Sequence, residues 1–265
     1  MIKKYYVIGN PIDHSLSPKL HNYWFKKNNI KAIYDRKKID KKDLQFIISQ
    51  IKEKKINGIN VTVPFKQAVI PYLDKLSLEA EQTQSVNTII LNNDNLVGHN
   101  TDIEGFTKAI KSLNFNVKGK KVFILGAGGV VPSIIFALKK MHVSQIIISN
   151  RTRKKAEDLK LRFKNLEIVD WGNIIDFDII INATSLGLNN EIINLDFSKF
   201  ENNKLFYDVI YNPVETNFLK EAKKFGNKIE NGKLMFVYQA FEAFKLWHGV
   251  EPDINKDTLE ILNND

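Results

Sequence analysis

The stretch Val122-Phe123-Ile124-Leu125-Gly126-Ala127-Gly128-Gly129 decides the architecture. Four apolar residues without polar alternation describe a strand covered on both faces, as in a parallel sheet. The glycines directly behind it allow a tight turn, and the apolar run to about residue 141 predicts a helix opening on that turn. Pro132 suits the first helical turn, where a missing N–H is tolerated. Such a unit is either a plain strand-to-helix connection or a place where a pyrophosphate lies against a helix N-terminus. The glycine pattern is incomplete, because Val131 stands where the third glycine of G-x-G-x-x-G would fall.

The same alternation extends in both directions. Downstream, strands are predicted over 145–149, 168–170, 179–181 and 205–209, with helices over 153–163, 215–225, 232–247 and 257–262. Upstream, strands are predicted over 4–9, 32–38 and 58–63, helices over 17–28, 42–54 and 102–113, and a hairpin over 86–91 and 96–98. Ser17 is the expected N-cap of the first helix, with Pro18 at its first helical position. The polar, lysine-rich segment 116–121 is an expected boundary. Strands separated by helices throughout give the α/β class.

The chain has 265 residues, 43% of them hydrophobic and 26% charged, which suits a folded globular protein rather than a disordered one. It contains no cysteine, which excludes a disulfide framework, a thiolate nucleophile and cysteine-ligated metal. No apolar run reaches the roughly 20 residues that span a bilayer. Tyr5 to Ile8 is too short for the core of a secretory signal, so the expectation is a cytoplasmic protein without membrane association. The net charge of +9 is spread along the chain, with residues 237–265 net acidic, and reads as a lysine-covered surface rather than a nucleic-acid face. The five histidines show no metal-ligand spacing, so no metal is expected.

Only four residues are arginine, and two of them stand in Asn150-Arg151-Thr152-Arg153, followed by Lys154 and Lys155. This is the end of the strand after the glycine turn, where an NAD-binding fold places an acid on the ribose. Here the acid is absent. Guanidinium groups at that point suit a 2′-phosphate, which favours NADP; the alternative is a solvated basic helix start. Positive charge at a helix N-terminus opposes the macrodipole and calls for a reason.

Four further segments carry polar chemistry beside apolar strands. Ser15 and Ser17 lie two apart on a turn into a helix and could hold an anion with hydroxyls and free N–H groups. Asn60-Val61-Thr62-Val63-Pro64-Phe65-Lys66 delivers one lysine at a strand end, either functional or one of many surface lysines. Ser85-Val86-Asn87-Thr88 starts a strand with polar groups. Gly98-His99-Asn100-Thr101-Asp102 puts a carboxylate at a helix start, either as a cap or as a working group.

Taken with NPIDHSLSPKLHN (10–22), NVTVPFK (60–66), VNT (86–88), GHNTD (98–102), GAGG (126–129), NRT (150–152), NATSLG (182–187), YDVIYNPVET (207–216), GKLMFVYQA (232–240) and LWHG (246–249), the chain resembles the shikimate dehydrogenase family. These stretches cover nearly its whole length in the family's order. The resemblance implies two α/β domains: a substrate domain of residues 1–102 and 237–265, and a Rossmann-type NADP domain of residues 103–236 with a mostly parallel sheet. It implies NADPH-dependent reduction of 3-dehydroshikimate to shikimate by a monomer or homodimer. It makes Lys66 and Asp102 the catalytic pair. Ser15 and Ser17 would hold the substrate carboxylate, and Thr62, Asn87, Tyr211 and Gln239 the rest of the substrate. The cofactor would lie on Gly126, Ala127, Gly128, Gly129, Asn150, Arg151, Thr152, Lys155, Thr184, Val209 and Gly232. The chain departs from the family's usual residues at His99, Ile103, Val130 and Pro132. A related quinate/shikimate dehydrogenase using NAD or NADP is the alternative, and a ligand-sensing regulator on the same fold a more distant one. Lys66 acts either as proton donor or as a charged hydrogen-bond donor to the developing alkoxide.

Overall fold

The computed structural model describes residues 2–189, 191–200 and 202–263. The chain forms two compact units, Met1–Gly105 with Val237–Asp265, and Phe106–Phe236. Residues 1, 264 and 265 of the expected substrate domain lie outside the described residues.

The first unit contains β1 (Lys3–Gly9), α1 (Ser17–Lys27), β2 (Ala32–Lys38), α2 (Leu44–Lys52), β3 (Gly58–Val61), β4 (Lys75–Leu76), α3 (Leu78–Thr83), β5 (Thr88–Asn92), β6 (Asn95–His99) and the start of α4 (Asp102–Ser112). Its six-stranded sheet runs β2-β1-β3-β5-β6-β4. The β1 pairings are parallel, whereas β3 with β5 and β5 with β6 are antiparallel, so the sheet is mixed. Ile8, Ile47, Ile51, Ile59, Val61 and Ile89 fill one core between sheet and α2. The short β4 and α3 were not predicted from the sequence. Neither the two-residue strand nor the polar helix Leu-Glu-Ala-Glu-Gln-Thr carries a readable period, and α3 is held by Ser77, whose hydroxyl accepts from the Ala80 N–H.

The second unit contains β7 (Lys121–Leu125), α5 (Val131–Lys140), β8 (Gln145–Ser149), α6 (Arg153–Arg162), β9 (Leu166–Val169), β10 (Ile179–Asn182), β11 (Leu205–Asp208), α7 (Asn217–Lys224), β12 (Lys228–Glu230) and the start of α8 (Lys233–His248). Its strands run β12-β11-β10-β7-β8-β9, and every pairing is parallel. β10 is the triple isoleucine that the sequence offers as a doubly covered strand, and all four of its residues are buried. Segment 116–121 lies inside this unit rather than at its edge. Phe106 keeps that end of α4 with the second sheet by packing edge-on against Tyr207 at 5.3 Å.

The remainder of α8, with α9 (Lys256–Glu260), belongs to the first unit. Phe244, Trp247 and His248 of α8 join Tyr5, His21, Trp24, Phe25 and Tyr34 in an aromatic cluster. Trp247 also donates its indole N–H to the Ile89 carbonyl at 3.2 Å, tying α8 to β5.

Candidate active site

In the first unit, Lys66 and Asp102 meet. Thr62 ends the run after β3, its carbonyl accepting the Phe65 N–H at 2.9 Å, and this turn with buried Phe65 and Val69 presents Lys66. Asp102 opens α4, and its N–H is taken by the Asn100 side chain at 3.1 Å. Its carboxylate oxygens go to Lys66 and Asn87 rather than to a cap. Lys66 Nζ lies 2.5 Å from Asp102 Oδ2, with side chains only 12% and 7% exposed. The other carboxylate oxygen accepts from Asn87 Nδ2 at 2.9 Å. Asn87 Nδ2 also reaches Thr101 Oγ1 at 2.9 Å and Gln239 Oε1 at 3.5 Å, while its Oδ1 accepts the Thr101 N–H at 2.8 Å. An ammonium thus stands on a carboxylate whose two oxygens are both fixed.

Ser15 and Ser17 come together as well. Ser15 Oγ lies 3.2 Å from Ser17 Oγ and accepts the Ser17 N–H at 3.3 Å. Ser17 is not the N-cap expected from the sequence. It is the first residue of α1, Leu16 occupies the cap position, and no side chain caps the helix. The Ser17 hydroxyl lies against the Ser15 hydroxyl instead. The loop carrying the serines is pinned by Arg36, which donates to the Asp13 carbonyl, and by the Asn10 N–H on the Val63 carbonyl at 3.0 Å. Thr62 stands beside Gly9 so closely that a Cβ there would lie 2.6 Å from Thr62 Cγ2.

His99 is half-buried at the end of β6, where desolvation pushes its pKa below the ordinary imidazole value against the pull of Glu79. Ile103 beside Asp102 is fully packed at 1% exposure, so this departure supplies a wall rather than a polar group.

In the second unit, the glycine turn joins β7 to α5. Gly126 has φ of +110°, and a Cβ on it would lie 2.7 Å from the Ala183 carbonyl oxygen. Ala127, Gly128 and Gly129 follow, the last two exposed, and α5 opens with neither a side-chain cap nor an acid in its first turn. Val130 is the N-cap residue and Pro132 lies in the first turn, fully buried. At the end of β8, Asn150 donates to the Thr152 carbonyl at 2.8 Å. Arg151, Thr152 and Lys155 are exposed, and among the described residues no ion pair holds Arg151 or Lys155. Arg153 is different: it is paired with Glu157 and with Asp170. The basic start of α6 is thereby partly neutralised from within, Lys154 by Asp158 included.

Thr184 and Val209 belong to a buried polar knot that sequence reading missed. Asp208 Oδ1 accepts from Asn182 Nδ2 at 3.1 Å and from the Ile210 N–H at 3.0 Å, and Oδ2 accepts from Thr216 Oγ1 at 2.7 Å. Asn182 Oδ1 takes the Thr184 hydroxyl at 2.7 Å. Burial pushes the Asp208 carboxyl up to about 6 despite these donors. The Gly232 N–H reaches the Ile210 carbonyl at 3.0 Å, and a Cβ on Gly232 would lie 2.1 Å from the Val209 carbonyl oxygen. Tyr211 follows in the same loop, its ring 4.6 Å from that of Phe236. The motifs NATSLG and YDVIYNPVET held the signal, in an amide and an acid ending adjacent parallel strands.

Among the described residues, no group of three or more histidines and acids could hold a metal ion, and no helix is long and apolar enough to cross a membrane.

Three family models match the chain: the shikimate dehydrogenase substrate binding domain over residues 7–89, shikimate / quinate 5-dehydrogenase over 107–209, and the shikimate 5′-dehydrogenase C-terminal domain over 234–256. A shikimate dehydrogenase (NADP(+)) of Pelagibacter ubique is 54% identical over 264 residues, covering 99% of this chain and all of that one. The crystal structure of shikimate dehydrogenase from Aquifex aeolicus superposes with a TM-score of 0.91 at 37% identity, covering 100% of this chain and 98% of the other. That of the Thermus thermophilus enzyme, in complex with NADP(H) and shikimate, gives 0.90 at 30% identity and 99% coverage of both.

Proposed function

The chain belongs to the shikimate dehydrogenase family, and from that premise we propose that its reversible, NADPH-dependent reduction of 3-dehydroshikimate to shikimate runs on Lys66 and Asp102. The observation that carries the assignment is the buried contact of the two side chains, made by residues 36 apart in sequence.

Reduction of a ketone needs a hydride on carbon and a proton on oxygen, and the nicotinamide supplies the hydride when bound. Lys66 keeps two N–H donors beyond the one given to Asp102, so it can hydrogen-bond the carbonyl oxygen and stabilise the negative charge that develops there. Asp102 holds the ammonium in one place. Asn87 in turn holds the carboxylate, which limits the reorganisation left for the transition state. Ser15 and Ser17 bind the substrate carboxylate with hydroxyls already adjacent. Thr62, Asn87 and Gln239 take its ring hydroxyls.

The cofactor residues fit NADP on the observations above. Gly126 and Gly232 allow backbone approaches that a Cβ would block, and Gly128 is exposed on the turn before α5, where a pyrophosphate can come close to the backbone. Arg151 and Lys155, without ion-pair partners among the described residues, suit the 2′-phosphate, with Asn150 and Thr152 shaping the turn. Thr184, Val209 and Gly232 line the nicotinamide end. We place the enzyme in the cytoplasm, as a monomer or homodimer.

The direct test is loss of NADPH absorbance on addition of 3-dehydroshikimate. The model over 107–209 is described for shikimate and quinate alike, so rates of NADP and NAD reduction with each acid separate the two substrate ranges.

A further inference from the structure

Asn182 and Asp208 end adjacent parallel strands and stand opposite each other in the register of β10 with β11. Their side chains meet at 3.1 Å, and from that contact three segments are held. Asn182 Oδ1 accepts the N–H and the hydroxyl of Thr184, at 3.1 and 2.7 Å, while its Nδ2 donates to the Leu186 carbonyl at 3.1 Å. Asp208 Oδ1 accepts the Ile210 N–H at 3.0 Å, and Oδ2 the Thr216 hydroxyl at 2.7 Å. The Val209 N–H completes the set on the Asn182 carbonyl at 3.0 Å.

Thr216 occupies the N-cap of α7, where a threonine hydroxyl ordinarily serves its own helix. Here no side chain caps α7, and the hydroxyl goes to Asp208. Asn182 and Asp208 are 0% exposed and Thr216 2%, so the carboxylate is out of reach of a ligand. Burial pushes the Asp208 carboxyl up despite its three donors, so the acid stands there against its own preference for water. What it supplies is geometry. The backbone held by Asn182 and Asp208 is the same backbone that the two close-packed glycines approach: a Cβ on Gly126 would strike the Ala183 carbonyl oxygen, and one on Gly232 the Val209 carbonyl oxygen.

We propose that Asp208 and Thr216 are positioning residues for the nicotinamide half of NADP. Asp208 fixes Val209 and Ile210 directly and Thr184 through Asn182, and Thr216 holds the second carboxylate oxygen so that the first stays aimed at both. The inference rests on the placement of Thr184, Val209 and Gly232 at the nicotinamide end given above.

The test is isothermal titration calorimetry of the whole enzyme with NADPH and with adenosine 2′,5′-bisphosphate, which carries the adenine half without the nicotinamide. Thr216→Val weakens NADPH about three- to tenfold, as expected for one lost hydrogen bond, and leaves the bisphosphate within about twofold. Thr216→Ser, which keeps the hydroxyl, restores NADPH. Val209→Phe, measured alongside, crowds the nicotinamide place directly and weakens NADPH but not the bisphosphate. Unchanged NADPH affinity in Thr216→Val while Val209→Phe loses it overturns the positioning role alone. Unchanged NADPH affinity in both overturns the placement of the nicotinamide end and the proposal with it. Equal losses for the two nucleotides in Thr216→Val, or no rescue by Thr216→Ser, make the hydroxyl a support of the domain as a whole and overturn its positioning role. Should Thr216→Val not fold, Thr216→Ala decides by the same readings, since it removes the hydroxyl without setting a methyl group against the carboxylate.

Discussion

Arg153 is held by the carboxylates of Asp170 and Glu157, whereas Arg151, two residues before it, has no ion-pair partner among the described residues. The two guanidinium groups that stand together in sequence therefore do different work. One ties the start of α6 to the residue beyond β9, and the other is left for a ligand.

Arg151→Ala should raise the KM for NADP by about tenfold or more, since a hydrogen bond to a charged group contributes about 1.5–3 kcal/mol, and should change the KM for NAD little. Arg153→Ala removes two exposed pairs, each worth about 0.2–1 kcal/mol, and should leave the NADP KM within about threefold. Steady-state titration of both cofactors checks this. Equal losses for NADP and NAD in Arg151→Ala would take the residue off the phosphate.

Ser15→Ala should weaken shikimate binding with almost no change in melting temperature. Ser15 is half-buried, and among the described residues its hydroxyl bonds only locally, to Ser17. Kinetics together with a thermal melt distinguish the roles. Normal kinetics with a melt several degrees lower would make Ser15 a structural residue.

Much of this was legible in the sequence because the decisive features are local. The apolar run 122–125 with its glycines, the triple isoleucine of β10 and the alternation of helices need no distant partner to be recognised. What was missed depends mostly on partners far along the chain. Ser17 reads as an N-cap because it stands before a proline, but it is already the first residue of α1, and its hydroxyl lies against that of Ser15. Arg153 reads as a phosphate ligand until Asp170 is found beside it. Asn182, Asp208 and Thr216 look like ordinary turn residues, and only the parallel pairing of β10 with β11 brings the first two to adjacent strand ends.

Gly126→Ala should both weaken NADP and lower the melting temperature. The added Cβ meets backbone rather than a movable side chain, and φ of +110° is unfavourable for alanine. A variant with unchanged NADP affinity and an unchanged melt would show that the turn tolerates a side chain.

Stability should respond to pH in opposite directions at two buried groups and one half-buried group. Burial pushes His21 down to about 3 and His248 down to about 4, so the folded state holds them neutral. Their contribution is fully present above the unfolded value of about 6.5 and is lost as pH falls toward 4. Asp208, raised to about 6, acts the other way: its contribution is present below about 4 and is lost as pH rises through 6. Melting temperature followed from pH 7 to 4 should fall less steeply in His248→Gln than in the unmodified enzyme, and more steeply in Asp208→Asn. Parallel curves for all three proteins would remove these groups from the account.

The central claim is that Lys66 and Asp102 act as one catalytic unit, and the most direct measurement is kcat and KM for Lys66→Ala, Asp102→Asn and the double variant. Lys66→Ala should lower kcat by at least about 100-fold, the lower end for general acid–base catalysis, with a much smaller change in KM. Asp102→Asn should be severely impaired too, because the carboxylate that fixes the ammonium is gone. The double variant should be little worse than the worse single one. Fully multiplicative losses, or a Lys66→Ala enzyme with unchanged kcat and only a raised KM, would contradict the account and leave Lys66 a substrate-binding residue.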